Sequence, residues 1–140
     1  MTRFIFAFLI MAVALAPSRT LADVTYYDSR ICIPAKIMDE KGQAKMMMSL
    51  ELAIDNDNIK RGLMYRNYLA PQGGMIFIFQ PPEKTAMWMK NTLIPLDMVF
   101  VGQNEMVLNV HRGAKPHDLT PIWSEGVAQY VIELQAGAID

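Results

Sequence analysis

From Ala44 to Ile54 apolar and polar residues alternate. Met46, Met48, Leu50, Leu52 and Ile54 fall on one side, and Lys45, Met47, Ser49, Glu51 and Ala53 on the other. A period of two is the mark of a strand with one face on a core. Before it, Asp39-Glu40-Lys41-Gly42 reads as a turn and residues 35–38 (AKIM) as a partner strand, which predicts a β-hairpin with a four-residue loop. The period then changes. Asp55 or Asn56 can cap a helix running through NDNIKRGLMYRNYL, residues 56–69, with Ile59 and Leu63 at i and i+4. Gly62 in mid-helix costs about 1 kcal/mol relative to alanine, so it marks either close packing or a break. Pro71-Gln72-Gly73-Gly74 closes the segment as a loop.

Residues 75–79 (MIFIF) are apolar at every position, as in a central strand covered on both faces. Gln80-Pro81-Pro82-Glu83 then breaks the chain. Further strands are expected over residues 87–91, 96–101, 106–111 and 129–134, and a long loop over 113–126. Six or seven short strands with one helix, and no βαβ rhythm, predict a mainly β fold. The expected form is a small antiparallel sandwich or barrel with a short helix packed over an opening.

One stretch resists a purely apolar reading. Residues 87–100, MWMKNTLIPLDMVF, carry Lys90, Asn91 and Asp97 among greasy neighbours. If the chain bends at Leu93-Ile94, Lys90 faces Asp97, Met89 faces Met98 and Trp88 faces Val99. Leu-Ile is poor chemistry for a tight hairpin, so a wider bend or a crossing between sheets competes with that register. An unpaired buried charge is costly, so the two charges are expected to find each other.

Composition narrows the class. Of 140 residues, 52% are hydrophobic and 19% charged, which requires a packed core. The formal net charge of −1 and the lack of a basic stripe speak against nucleic acid as a partner. The N-terminus, MTRFIFAFLIMAVALAPSRTLA, has an early arginine, an unbroken apolar run from Phe4 to Ala16, a proline, and small residues before Asp23. This predicts a signal peptide over residues 1–22, removed after Ala22, and an exported protein, periplasmic or secreted. The run falls short of the ~20 apolar residues of a membrane anchor, so no stable span is expected after cleavage. Losing Arg3 and Arg19 leaves 11 basic residues against 14 acidic in a single domain, 23–140. Cys32, the only cysteine, sits between Ile31 and Ile33 and is expected to be buried and inert.

GLMYRNYL, GGMIFIF, MWMKNTLIPLDMVFV and YVIELQAG, in that order, resemble the family called domain of unknown function 192 over residues 46 to 137. The block WMKNTLIPLDMVF is long and specific. The resemblance implies a compact, mostly β, jelly-roll-like fold, often behind an export signal, and implies no reaction. Its motifs fall on Arg61, Gly62, Leu63, Met64, Arg66, Gly74, Met75, Phe77, Trp88, Met89, Lys90, Asn91, Thr92, Pro95, Leu96 and Asp97. Two positions depart from it. Met87 stands where members commonly carry phenylalanine. Members also continue past residue 137 into a last strand, so either the chain is cut short here or the domain lacks a C-terminal strand, and the second case exposes a sheet edge.

Arg66, Lys90, Asn91 and Asp97, with Trp88 beside them, form the candidate site. If the helix end lies over the bend, two cations and a carboxylate converge, either as a brace or as a cradle for a carboxylate or phosphate. The expected function is non-catalytic binding of a small polar or anionic ligand or an envelope partner, with no cofactor. A hydrolase or transferase using Arg66, Lys90 and Asp97 is the alternative from another class. Beyond that cluster no catalytic constellation emerges. There is no G-x-S-x-G and no zinc motif, and Glu51 and Glu133 have no spacing that pairs them. The methionine count, 12 in all, raises a third reading, a Cu(I) site of Met87, Met89 and His111. Methionine also serves as ordinary core filler.

Overall fold

The computed structural model describes residues 8–10, 26–27 and 30–139. In chain order the elements are β1 (Phe8–Ile10), β2 (Tyr26–Tyr27), β3 (Arg30–Met38), β4 (Ala44–Ala53), α1 (Asn56–Arg61), β5 (Gly73–Glu83), β6 (Ala86–Met87), β7 (Leu96–Gly102), β8 (Val107–Ala114), β9 (Ile122–Trp123) and β10 (Ala128–Gln135). Apart from β1, which pairs with Lys36–Met38, the expected signal peptide lies outside the described residues.

The protein is mainly β. The long strands form one sheet in the order β3-β4-β5-β10-β7-β8, with β1 and β2 both beside β3, while β6 and β9 make a separate pair. The sheet does not close into a barrel, because β3 and β8 do not pair. One apolar cluster, with Leu50, Ile76, Val99 and Ile132 at its centre, lies on one face. The other face carries Phe77, Met98, Phe100 and Val131, and is covered by Leu63, Leu69, Met89 and Ile94 from the connecting segments, with Ile59 of α1 packed against it. The central strands are therefore buried on both sides. Gly74 shows how tightly: a Cβ there would lie 2.3 Å from the Glu133 carbonyl oxygen.

The hairpin over residues 39–42 forms as expected, with Met38 opposite Ala44, and Asp39 accepts N–H bonds from Lys41 and Gln43. The helix is shorter than its pattern predicts. Asp55 caps it by accepting the Asn58 N–H at 2.8 Å, but it ends at Arg61. Gly62 adopts φ +46° against the Phe77 ring and turns the chain inward, so that Leu63 is buried. The connection from β4 through α1 returns to β5 in parallel, a crossover that the lack of a βαβ rhythm did not announce. Residues 80–83 continue β5 instead of breaking it, and the long loop over 113–126 contains β9.

The largest correction concerns residues 87–100. No hairpin forms about Leu93-Ile94. β7 pairs with β10 and β8, which places Glu133 opposite Met98 and His111 on its other side, and the strand at 86–87 pairs with β9. Asp97 is 1% exposed, and its carboxylate accepts backbone N–H bonds from Gly113 (2.9 Å), Gly137 (2.9 Å) and Ile139 (3.1 Å). Lys90 is not its partner. The charge in this greasy strand is architectural: it fastens the end of β8 and the turn after β10 to β7. Asp97→Ala is therefore expected to destabilise the fold by about 3 kcal/mol, since bonds to a charged acceptor are strong and three donors lose theirs. Asp97→Asn, which keeps one acceptor oxygen, costs less; urea denaturation of both variants measures the difference.

Candidate functional site

The residues singled out from the sequence separate into three places. Asp97 is buried in the lock just described. Lys90 is exposed, and its Nζ stands 5.5 Å from the centre of the Trp88 ring, a cation–π contact at a rim where Trp88 is itself 51% exposed. Asn91, at φ +52°, joins the two loops: its carbonyl accepts the Tyr65 N–H and its Nδ2 donates to the Tyr65 Oη, each at 2.8 Å. Arg66, next in sequence to Tyr65, turns the other way and forms a two-pronged bond with Glu51, Nη1 to Oε1 at 2.6 Å and Nη2 to Oε2 at 2.7 Å. Arg66 and Asn91 thus sit on neighbouring loops, but Arg66, Lys90 and Asp97 do not converge. The hydrolase or transferase reading built on that cluster loses its geometric basis.

For the copper candidates, Met89 is fully buried in the core, Met87 is half-buried on β6, and His111 is exposed on β8. Cys32 is buried as expected. Among the described residues there is no group of three or more His, Cys, Asp or Glu able to hold a metal.

The Arg66–Glu51 pair walls a partly open cavity of about 360 Å³ between α1, β4 and β5. Ile31, Leu52, Ile54 and Met75 give it apolar surface, and Asp55, Asn58 and Arg61 add polar groups from the helix. Most of its charges are already engaged. Glu51 holds Arg66, and Asp55 caps the helix through the Asn58 backbone and side chain. Arg61, the last helical residue, accepts the Met64 N–H at its carbonyl (3.0 Å), while its guanidinium makes no hydrogen bond or ion pair among the described residues and the residue is exposed. The formal charges of the lining balance, and the guanidinium without a bonded partner among the described residues is that of Arg61.

Beneath the cavity lies a feature the sequence pattern does not announce. Glu51 stands opposite Met75, and Met75 opposite Glu133, so both glutamates project from one face with a methionine between them. Two strand spacings put their backbones about 10 Å apart. Glu133 is 4% exposed, among the apolar residues of that face, and no described residue gives its carboxyl a hydrogen bond or a counter-charge. Burial alone pushes it up to about 8, so the folded protein holds it as a neutral acid at pH 7. A glutamate in the otherwise apolar run YVIEL was the available signal.

The sign of the pH effect follows. The unfolded chain releases this proton near pH 4.5 and the folded protein near 8, so folding takes up a proton in between. Stability from this site is fully present below pH 4.5, falls as the pH rises to about 8, and is flat beyond. The slope is at most about 1.4 kcal/mol per pH unit. Denaturation of Glu133→Gln and the native protein across pH 5 to 9 is expected to show the variant gaining relative stability up to about pH 8, then a constant difference.

Two solved structures are similar over most of the chain. One, a protein of unknown function from Novosphingobium aromaticivorans DSM 12444, is 32% identical, with a TM-score of 0.74 over 87% of this chain and 89% of that one. The other, from Sinorhizobium meliloti 1021 and proposed there as a transcription regulator, is 36% identical, with a TM-score of 0.74 over 80% of this chain and 86% of that one. No curated protein matches. Residues 37–140 match domain of unknown function 192, an uncharacterised ACR, and the chain belongs to that family.

Proposed function

We propose that this member of the family is a binding module without chemistry of its own. It holds a small ligand with an apolar body and an anionic group, and it works after export. The observation that carries this reading is the leftover guanidinium of Arg61 beside apolar walls, in a cavity of the size that small ligands occupy. Both carboxylates of the cavity already hold hydrogen-bond donors, Glu51 those of Arg66 and Asp55 those of Asn58, whereas Arg61 can present a planar fork to a carboxylate. Ile31, Leu52, Ile54 and Met75 suit an alkyl or similar body. The apolar run and small residues at the N-terminus support export, and among the described residues no helix is long and apolar enough to cross a membrane. A transcription-regulating role, as described for the Sinorhizobium meliloti protein, gains no electrostatic support from a chain with 13 basic and 14 acidic residues.

Calorimetric titration with straight-chain carboxylates from acetate to octanoate tests the reading. Affinity is expected to rise with chain length, as apolar surface is buried, and to drop on going to the alcohol of equal length. Arg61→Ala weakens binding about tenfold or more, by loss of a charge-assisted bond, while Arg61→Lys keeps part of it. No uptake at millimolar carboxylate, or affinity indifferent to Arg61→Ala, contradicts the proposal.

A further inference from the structure

The rim carrying Trp88 and Lys90 plays no part in the cavity, yet three loops are fastened to build it. Besides the two Tyr65–Asn91 bonds, the Met89 N–H donates to the Asp118 carbonyl at 2.9 Å and the His117 N–H to the Thr92 carbonyl at 3.3 Å. Tyr65, Asn91 and His117, one from each loop, all have positive φ, a conformation that costs a non-glycine residue energy and persists only where its surroundings enforce it. The shape so enforced displays large apolar side chains: Tyr65 is 68% exposed, Trp88 51%, Leu93 44% and Leu119 61%.

Lysines accompany them. Lys90 lies against Trp88, and Lys115 opens the turn whose carbonyl accepts the Asp118 N–H. Asp118 accepts the Thr120 N–H in that turn and keeps its negative charge near Lys115, so Lys90 and Lys115 face one carboxylate and leave this corner net positive on a chain whose net charge is −1. Interfaces between proteins exclude lysine from their centres. The headgroup region of a bilayer suits tryptophan and tyrosine rings with lysine beside them, since the rings are apolar with one polar atom and the ammonium reaches the phosphates. We propose that this rim docks peripherally on an anionic phospholipid surface. Trp88, Leu93 and Leu119 enter the boundary between headgroups and acyl chains, and Lys90 and Lys115 face the phosphates. Each lysine near such a surface adds attraction that salt screens.

The test reads Trp88 itself. In the full chain with Trp123→Phe, Trp88 is the one tryptophan left, so its emission reports on the rim and not on the apolar N-terminus. Vesicles of phosphatidylcholine with phosphatidylglycerol are expected to shift its emission to the blue and to permit quenching by brominated acyl chains. High salt reverses both effects, and Lys90→Glu with Lys115→Glu weakens partitioning at least tenfold. Four results overturn the proposal. One is no shift on any vesicle. Another is binding in which Trp88 stays unshifted and unquenched, which puts the contact elsewhere on the chain. The third is a shift equal on neutral vesicles and indifferent to the two charge reversals. Self-association that shifts Trp88 without lipid also overturns it, by showing a protein-facing surface instead.

Discussion

The sheet is covered on both faces along β5, β10 and β7, so a carboxyl group carried inward by the sheet is largely shielded from water. It has two ways to exist there: it gathers donors, or it gives up its charge. Three carboxyls show both. Asp97 gathers three backbone N–H groups. Glu51 gathers a guanidinium. Glu133 has no bonded partner among the described residues and is held neutral by burial. Each outcome has a structural consequence, and together they organise the molecule around its sheet.

The Asp97 bonds fix the edge formed by β8 to the turn after β10, two parts of the chain that no strand pairing joins. Arg112 adds to the same corner by donating from Nε to the Ile139 carbonyl at 2.7 Å. The Glu51–Arg66 bond acts at the other side of the sheet. It draws down the segment that follows α1, whose end at Gly62 brings Leu63 into the core, and so frames the cavity. Because Glu51 consumes Arg66, the cavity's available charge passes to Arg61. The ligand preference proposed above is thus a consequence of how an interior carboxylate was satisfied. Met75 separates that paired carboxylate from the unpaired one, so a single row of side chains across three strands holds an ion pair, a thioether and a neutral acid.

Much of this was legible in the sequence where the signal is local. The alternation in β4, the turn at residues 39–42, the all-apolar centre of β5 and the mainly β class follow from patterns a few residues long. Pairing partners are not local. β7 is built beside β10, some thirty residues downstream, and nothing within residues 87–100 decides between the match of Lys90 with Asp97 across Leu93-Ile94 and the wider crossing that competes with it. The helix stops early because the Phe77 ring lies against Gly62, a contact between distant residues. The helix was legible from its cap and the Ile59–Leu63 spacing, but nothing in so short a helix announces that the strand after it runs parallel to β4. At the site, Arg66 was legible as a cation needing a partner, but Glu51 sat on what reads as the polar face of its strand. That face becomes interior only once the segment after α1 folds over it.

The rule that an interior carboxyl is either bonded or neutral meets its hardest case in Glu133. Carbon-13 NMR of its carboxyl carbon in isotopically labelled protein, followed from pH 4 to 9.5, tests it most directly. The structure predicts the chemical shift of a protonated acid at pH 6 and a midpoint near 8. A midpoint near 4.5, the value of a solvated glutamate, would mean that this side chain finds water or a counter-charge in the folded protein, and that the sheet is not closed to solvent on the face described.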